Sequence, residues 1–168
     1  MEKPTRFSLQ LMNREDARAV SEWKYDGIYA FYNASASTDD SDLYGMLDGS
    51  HYSVLDGRGA LAGFFAYGPS ATVPGGHRVH AYDVDALDMG LGMRPELTGQ
   101  GLGFAFVQSG LNFAMSNFSP VRFRLTVATF NERAIRVYER AGFNRGKTFA
   151  SETPNGEADF LLMMTERL

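Results

Sequence analysis

The sequence predicts an α/β or α+β fold in which a mixed sheet is flanked by helices, in the order βααβββαβαββ. Three observations carry that reading: short runs of apolar alternation, helical spacing between those runs, and turn or cap residues at nearly every junction. The chain has 168 residues and is read as one domain, 1–168, because no low-complexity linker or internal repeat divides it.

Residues 7–12 alternate as a first strand, and Asn13 then offers a helix N-cap with Asp16 in the acid-favouring first turn. That helix carries Ala17, Val20 and Trp23, and the segment continues through Tyr25, Tyr29, Phe31 and Tyr32 with a break at Gly27. A short second helix fits residues 41–47 and stops at Gly49. Strands over 51–55 and 60–67 flank Asp56-Gly57-Arg58-Gly59, a hairpin signal.

Residues 69–76 read as a loop and 81–93 as one long strand, in which Gly90 and Gly92 mark a bulge or a close approach by a ligand. Val107, Leu111, Ala114 and Phe118 recur at helical spacing through the next helix, over 103–117. Residues 122–129 alternate as a strand with one apolar face. Asn131 caps a helix that runs to Ala141, where Gly142 supplies a left-handed stop. Two closing strands, 147–151 and 159–165, flank Pro154-Asn155-Gly156.

Composition narrows the function classes. With 20 acidic residues against 16 Lys plus Arg, the net charge is −4, which argues against a nucleic-acid partner and modestly favours a cationic or amine substrate. The chain has no cysteine, so disulfides, thiolate catalysis and cysteine metal sites are excluded. His77 and His80 with Asp83 and Asp85 are the nearest approach to a metal set, and a solvated loop explains them better; no metal is expected. The N-terminus, beginning Met1-Glu2-Lys3-Pro4, lacks a signal-peptide run, and nothing approaches ~18 consecutive apolar residues, so no membrane partner and a cytoplasmic location are expected.

The most informative stretch is Thr98-Gly99-Gln100-Gly101-Leu102-Gly103, which places alternate glycines between the long strand and the following helix. Glycine lets backbone N–H groups approach an anion, and the helix aims its unpaired N–H groups at the same point. No Lys follows to make a Walker loop, and the glycine spacing does not fit a dinucleotide fingerprint. The acid that such a fingerprint expects about 20 residues on is also missing: that region is basic, with Arg122 and Arg124. Nucleoside triphosphates and nicotinamide cofactors are thereby disfavoured.

With the Asn131, Ala134, Tyr138, Gly142 and Phe143 pattern that follows, this loop resembles the GNAT superfamily of acyl-CoA-dependent N-acyltransferases. The family's Gln/Arg-x-x-Gly-x-Gly/Ala loop is matched by Thr98 to Gly103 after the lead-in Met93-Arg94-Pro95-Glu96. Thr98 stands where the family usually has Gln or Arg, leaving Arg94 and Gln100 as the neighbours able to make up the contact. The resemblance implies a mostly antiparallel central sheet and acetyl-CoA as cosubstrate. It implies transfer of an acetyl group to a primary amine of a small molecule or a peptide N-terminus by direct attack. It leaves room for a homodimer. A non-catalytic acyl-CoA-binding or sensing module is the alternative.

Site residues follow from the same resemblance. Backbone groups near Leu91, Gly92 and Met93 would polarise the thioester, and those of Gly99, Gln100, Gly101, Leu102, Gly103 and Phe104 would hold the diphosphate, with Thr98 and Asn131 as further cofactor contacts. Tyr138 corresponds to the family's proton donor to the leaving thiolate, and a phenol of ordinary pKa is protonated at neutral pH. Asp88, ahead of Asp85 and Asp83, is the expected proton acceptor from the amine. Trp23, Tyr29 and Tyr32 form an aromatic wall suited to a cationic or apolar acceptor.

Overall fold

The computed structural model describes residues 6–34 and 41–168. The reading of the first five residues lies outside them. Seven strands form one sheet in the order β1-β2-β3-β4-β5-β7-β6. Every neighbouring pair is antiparallel except β4 with β5, which run parallel.

Strand β1, Ser8–Leu11, leads into α1, Arg14–Ser21, whose cap is Asn13: its Oδ1 accepts from Asp16 N at 2.8 Å. The helix ends before Trp23. A 3-10 turn, Gly27–Tyr32, carries the aromatic run instead, opening at Gly27 with φ 62°. Helix α2, Ser41–Met46, is followed by the hairpin β2, His51–Leu55, and β3, Leu61–Tyr67.

Two expectations for the next segment need correction. A short helix, α3, Pro74–Arg78, begins inside the expected loop and runs past its end. Its Gly75 and Gly76 serve close packing rather than a turn, since a Cβ on Gly75 would strike the Ala150 carbonyl and one on Gly76 the Tyr82 ring. The long strand is also shorter than expected: β4 is Leu87–Met93. The carbonyls of Tyr82 and Val84 accept from the Arg124 guanidinium, at 3.4 and 2.7 Å, so a side chain rather than a strand ladder secures that stretch. No bulge interrupts β4 against β3, whose register runs without a shift from Gly63↔Met93 to Tyr67↔Met89.

Helix α4, Gly103–Phe118, β5, Phe123–Ala128, and α5, Glu132–Arg140, follow in order. The last two strands, β6, Phe143–Thr153, and β7, Gly156–Thr165, are longer than the alternation suggested. The principal core lies between the sheet and α4 with α5, where Phe65, Met89, Phe106, Leu125 and Ile135 are buried together. On the opposite face, Met12, Ala17 and Leu43 pack beneath α1 and α2. A third cluster, with Ala81, Phe149 and Phe160, lies at the β5–β7 end. Among the described residues no helix is long and apolar enough to cross a membrane.

Candidate active site

The parallel pair β4–β5 creates the site by parting. Gly68 N donates to Asp88 O and Arg94 N to Ala62 O, each at 2.8 Å, whereas Leu87 N donates to Arg122 O at 2.9 Å. Even-numbered residues of β4 therefore turn their backbone groups to β3, and odd-numbered ones turn theirs to β5. The ladder with β5 stops at Met89↔Leu125, so the N–H groups of Leu91 and Met93 face an open gap. Gly92, expected to act with them, faces β3. Its missing side chain makes room for the Phe64 ring, which a Cβ there would strike.

The gap widens into a cavity of about 1010 Å³ bordered by the glycine turn, the aromatic 3-10 turn and α5. Leu91, Gly92, Met93, Thr98, Gly99, Gly101, Leu102 and Gly103 all border it, as does Asn131; Gln100 and Phe104 do not.

At the glycine end, Gly99 and Gly101 adopt φ of 74° and 77°, the left-handed region that favours glycine. The space where a Cβ of Gly101 would stand is open. Leu102 precedes α4 without a side-chain cap, and the first bond into the helix is Phe106 N to Leu102 O at 3.0 Å. The N–H groups of Gly103, Phe104 and Ala105 thus have no intrahelical acceptor. The phenyl ring of Phe104 is turned away beneath Arg140, whose guanidinium carbon lies 4.4 Å from the ring centre.

Both residues expected to compensate for Thr98 hold bonds within the protein. The Arg94 guanidinium donates to Leu61 O at 3.0 Å, and Gln100 Nε2 donates to Glu96 O at 2.6 Å. Thr98 Oγ1 donates to Pro95 O at 2.7 Å. The cation nearest the glycines is Arg133, whose Nη1 lies 3.6 Å from an ideal Cβ at Gly99.

Tyr138 projects from α5 to the cavity with only 7% of its surface exposed, its ring set edge-on to Phe143 at 6.1 Å. Its hydroxyl has no hydrogen-bond partner among the described residues. Burial, with a smaller contribution from nearby Tyr32, pushes the phenol well above its ordinary pKa, so it stays protonated through the neutral range. Asn131 is the helix cap, its Oδ1 accepting from Ala134 N at 3.2 Å, and at the cavity its Nδ2 donates to Tyr32 Oη at 3.0 Å.

Trp23, Tyr29 and Tyr32 all border the cavity. Trp23 lies 6.4 Å from Phe64, and Tyr29 stacks under Arg133 at 4.4 Å. Sequence reading named Tyr25 in the aromatic run and Asn155 in the closing turn but not their contacts: Tyr25 donates to the Met93 carbonyl at 2.8 Å, and Asn155 donates to Phe31 O and Asn33 O at 2.8 and 2.6 Å. Both contacts span long stretches of chain, and no local pattern signals them.

Asp88 departs from its expected placement at the cavity. The carboxylate is buried against Arg124, accepting from Nε at 2.6 Å and from Nη2 at 2.8 Å, and it does not border the cavity. Asp88 and Arg124 are direct partners in the parallel register, so their side chains meet on one face of the sheet. Asp83 and Asp85 lie before β4 on an exposed turn, where Asp83 pairs with His80 at 3.1 Å. Among the described residues Glu22 is the one carboxylate at the cavity, and it sits on the exposed rim.

A model of the acetyltransferase (GNAT) domain matches residues 6–144, most of the chain. The protein belongs to the GNAT acetyltransferase family. No curated protein matches the sequence significantly. Solved GNAT structures match its fold over nearly their whole length. A Vibrio cholerae spermidine N-acetyltransferase SpeG chimera with hSSAT superposes with TM-score 0.68 at 16% identity, covering 95% of each chain. A GNAT-family acetyltransferase from Bacillus anthracis gives TM-score 0.70 at 17% identity, over 98% of this chain and 96% of that one. The mixed seven-stranded sheet with flanking helices is the fold these GNAT proteins share.

Proposed function

We propose that this GNAT domain transfers an acetyl group from acetyl-CoA to a primary amine of a small molecule or a protein N-terminus by direct attack. The observation that carries the proposal is the convergence, in one cleft, of the free Leu91 and Met93 N–H groups, the Tyr138 hydroxyl and the left-handed glycine turn. The residues fit the cosubstrate. Gly99 and Gly101 border the cavity with no Cβ to fill it, and the start of α4 adds unpaired N–H groups for a diphosphate. When bound, acetyl-CoA supplies the activated thioester.

Within the cleft each group has a distinct task. The Leu91 and Met93 N–H groups are fixed donors for the oxygen that gains negative charge when the amine attacks; one such donor is worth ~3 kcal/mol in comparable sites. Tyr138 offers its hydroxyl proton to the departing sulfur. Because burial holds that phenol above its ordinary range, it acts as a persistent hydrogen-bond donor, and full protonation of the thiolate draws on the proton released by the amine. As nitrogen bonds to the acetyl carbon and the carbon–sulfur bond breaks, that proton passes from nitrogen to sulfur, giving an amide and a free thiol.

Asp88 has no part in that transfer in this proposal, since both its oxygens are bonded to Arg124. The amine instead enters in its neutral form or releases its proton to water at the cavity mouth. Acceptors with aromatic or apolar bodies suit the wall of Trp23, Tyr29 and Tyr32. The spermidine acceptor named for the SpeG relative supports an amine in this position.

The experiment is to incubate the protein with acetyl-CoA and a panel of amines and peptides and follow thiol release across pH. Release above the hydrolysis background is expected, with kcat/KM climbing with pH along a limb that tracks the acceptor's own pKa. Binding of CoA without release for any acceptor would instead support a sensing module.

A further inference from the structure

We propose that Arg133 supplies the cationic contact to the cofactor phosphates that position 98 lacks, and that its stack on Tyr29 ties cofactor binding to the acceptor wall. The inference rests on the reading of the cleft as a CoA site.

Three observations place Arg133 in this role. Its Nη1 lies 3.6 Å from where a Cβ of Gly99 would stand, against the glycine turn that borders the cavity. It borders the cavity itself. It has no carboxylate partner among the described residues; its sequence neighbour Glu132 pairs with Arg136 at 3.5 Å. An arginine without a carboxylate beside the glycine turn makes an anion site of greater reach than the glycines alone.

The stack on Tyr29 gives the arginine a second task. With its carbon 4.4 Å from the ring centre, the guanidinium has one face covered by the phenol while its N–H edges stay free to bond. The ring fixes the side chain in advance, which lowers the entropy lost when a phosphate is bound. The same contact works in reverse. A phosphate that holds Arg133 also holds Tyr29, which belongs to the 3-10 turn forming the acceptor wall. Cofactor binding and acceptor binding therefore strengthen each other.

Titration calorimetry with CoA, on the wild type and on Arg133→Gln, tests the proposal, with S-acetylpantetheine kinetics as the phosphate-free control. Arg133 is exposed, so the substitution should leave the thermal midpoint unchanged. The expected result is a rise of roughly tenfold in the CoA dissociation constant, the size of one charge-assisted contact, with kcat/KM for S-acetylpantetheine unaltered. Tyr29→Leu, which keeps the charge but removes the stack, should weaken CoA less and raise the acceptor KM. A CoA affinity for Arg133→Gln within twofold of wild type would overturn the proposal, as would an equal loss with the phosphate-free thioester. A wild-type protein that binds no CoA at all would instead overturn the reading of the cleft, and this inference with it.

Discussion

The Tyr25 hydroxyl donates to the Met93 carbonyl at 2.8 Å, tying the segment after α1 to the strand that carries the free N–H groups. Asn33 Oδ1 accepts from Tyr25 N at 2.7 Å, and Asn155 at the tip of the β6–β7 hairpin holds the carbonyls of Phe31 and Asn33. The aromatic segment is thus fastened at both ends, to β4 and to the far hairpin. Tyr25→Phe removes one part-buried hydrogen bond while keeping the ring. It should cost about 1 kcal/mol in urea unfolding and raise the acceptor KM several-fold without changing CoA affinity. An unchanged acceptor KM would show that the bond does not position the wall.

Asp88 and Arg124 are buried together, so removing one charge strands the other. Asp88→Asn should destabilise the fold by about 3–5 kcal/mol, seen as a large drop in thermal midpoint. In the protein that remains folded, the pH profile of kcat/KM should keep its shape. Selective loss of the rising limb with an unchanged midpoint would return Asp88 to the role of base.

Much of this arrangement is legible in the sequence where the signal is local. Asn13 and Asn131 cap helices as their side chains dictate, and Gly142 takes the left-handed stop expected of it, with φ 104°. What was hidden depends on contacts between distant segments. The helix α3 escaped notice because its two glycines answer to Ala150 and Tyr82, far from any helical pattern of their own. Asp88 read as a free acid on a strand because its partner, Arg124, lies on another strand and meets it only through the parallel register. The aromatic run after α1 was visible, but its attachment to Met93 and Asn155 was not, since those bonds are set by the topology of the sheet.

Burial raises the phenols of Tyr32, Tyr67 and Tyr138 above the ordinary value and that of Tyr25 to about 12. Below the unfolded value of about 10, native and unfolded chains both keep these protons and stability is unaffected by them. Above it the unfolded chain loses protons that the native state retains, so stability falls as pH rises. The urea midpoint should be level from about pH 7 to 9 and decline beyond about 10. A level midpoint through that upper range would contradict the burial of these hydroxyls.

Gly101 separates a cost in folding from a cost in binding. At φ 77° an alanine is strained, although nothing stands within 4 Å of its Cβ. Gly101→Ala should lose about 1–2 kcal/mol of stability and weaken CoA, because relief of the strain turns the backbone donors away. Calorimetry with CoA on folded protein reads the second effect, and unaltered affinity would remove the turn from the phosphate site.

Direct detection of acetyl transfer tests the central claim. The protein is incubated with acetyl-CoA carrying an isotopic label in the acetyl group, together with an amine acceptor, and the products are identified by mass spectrometry. The account predicts the label on the amine nitrogen, an equal amount of free CoA, and a fall of about a hundredfold in kcat for Tyr138→Phe with the fold intact. Label found only on CoA or in free acetate, across the whole acceptor panel, would contradict it.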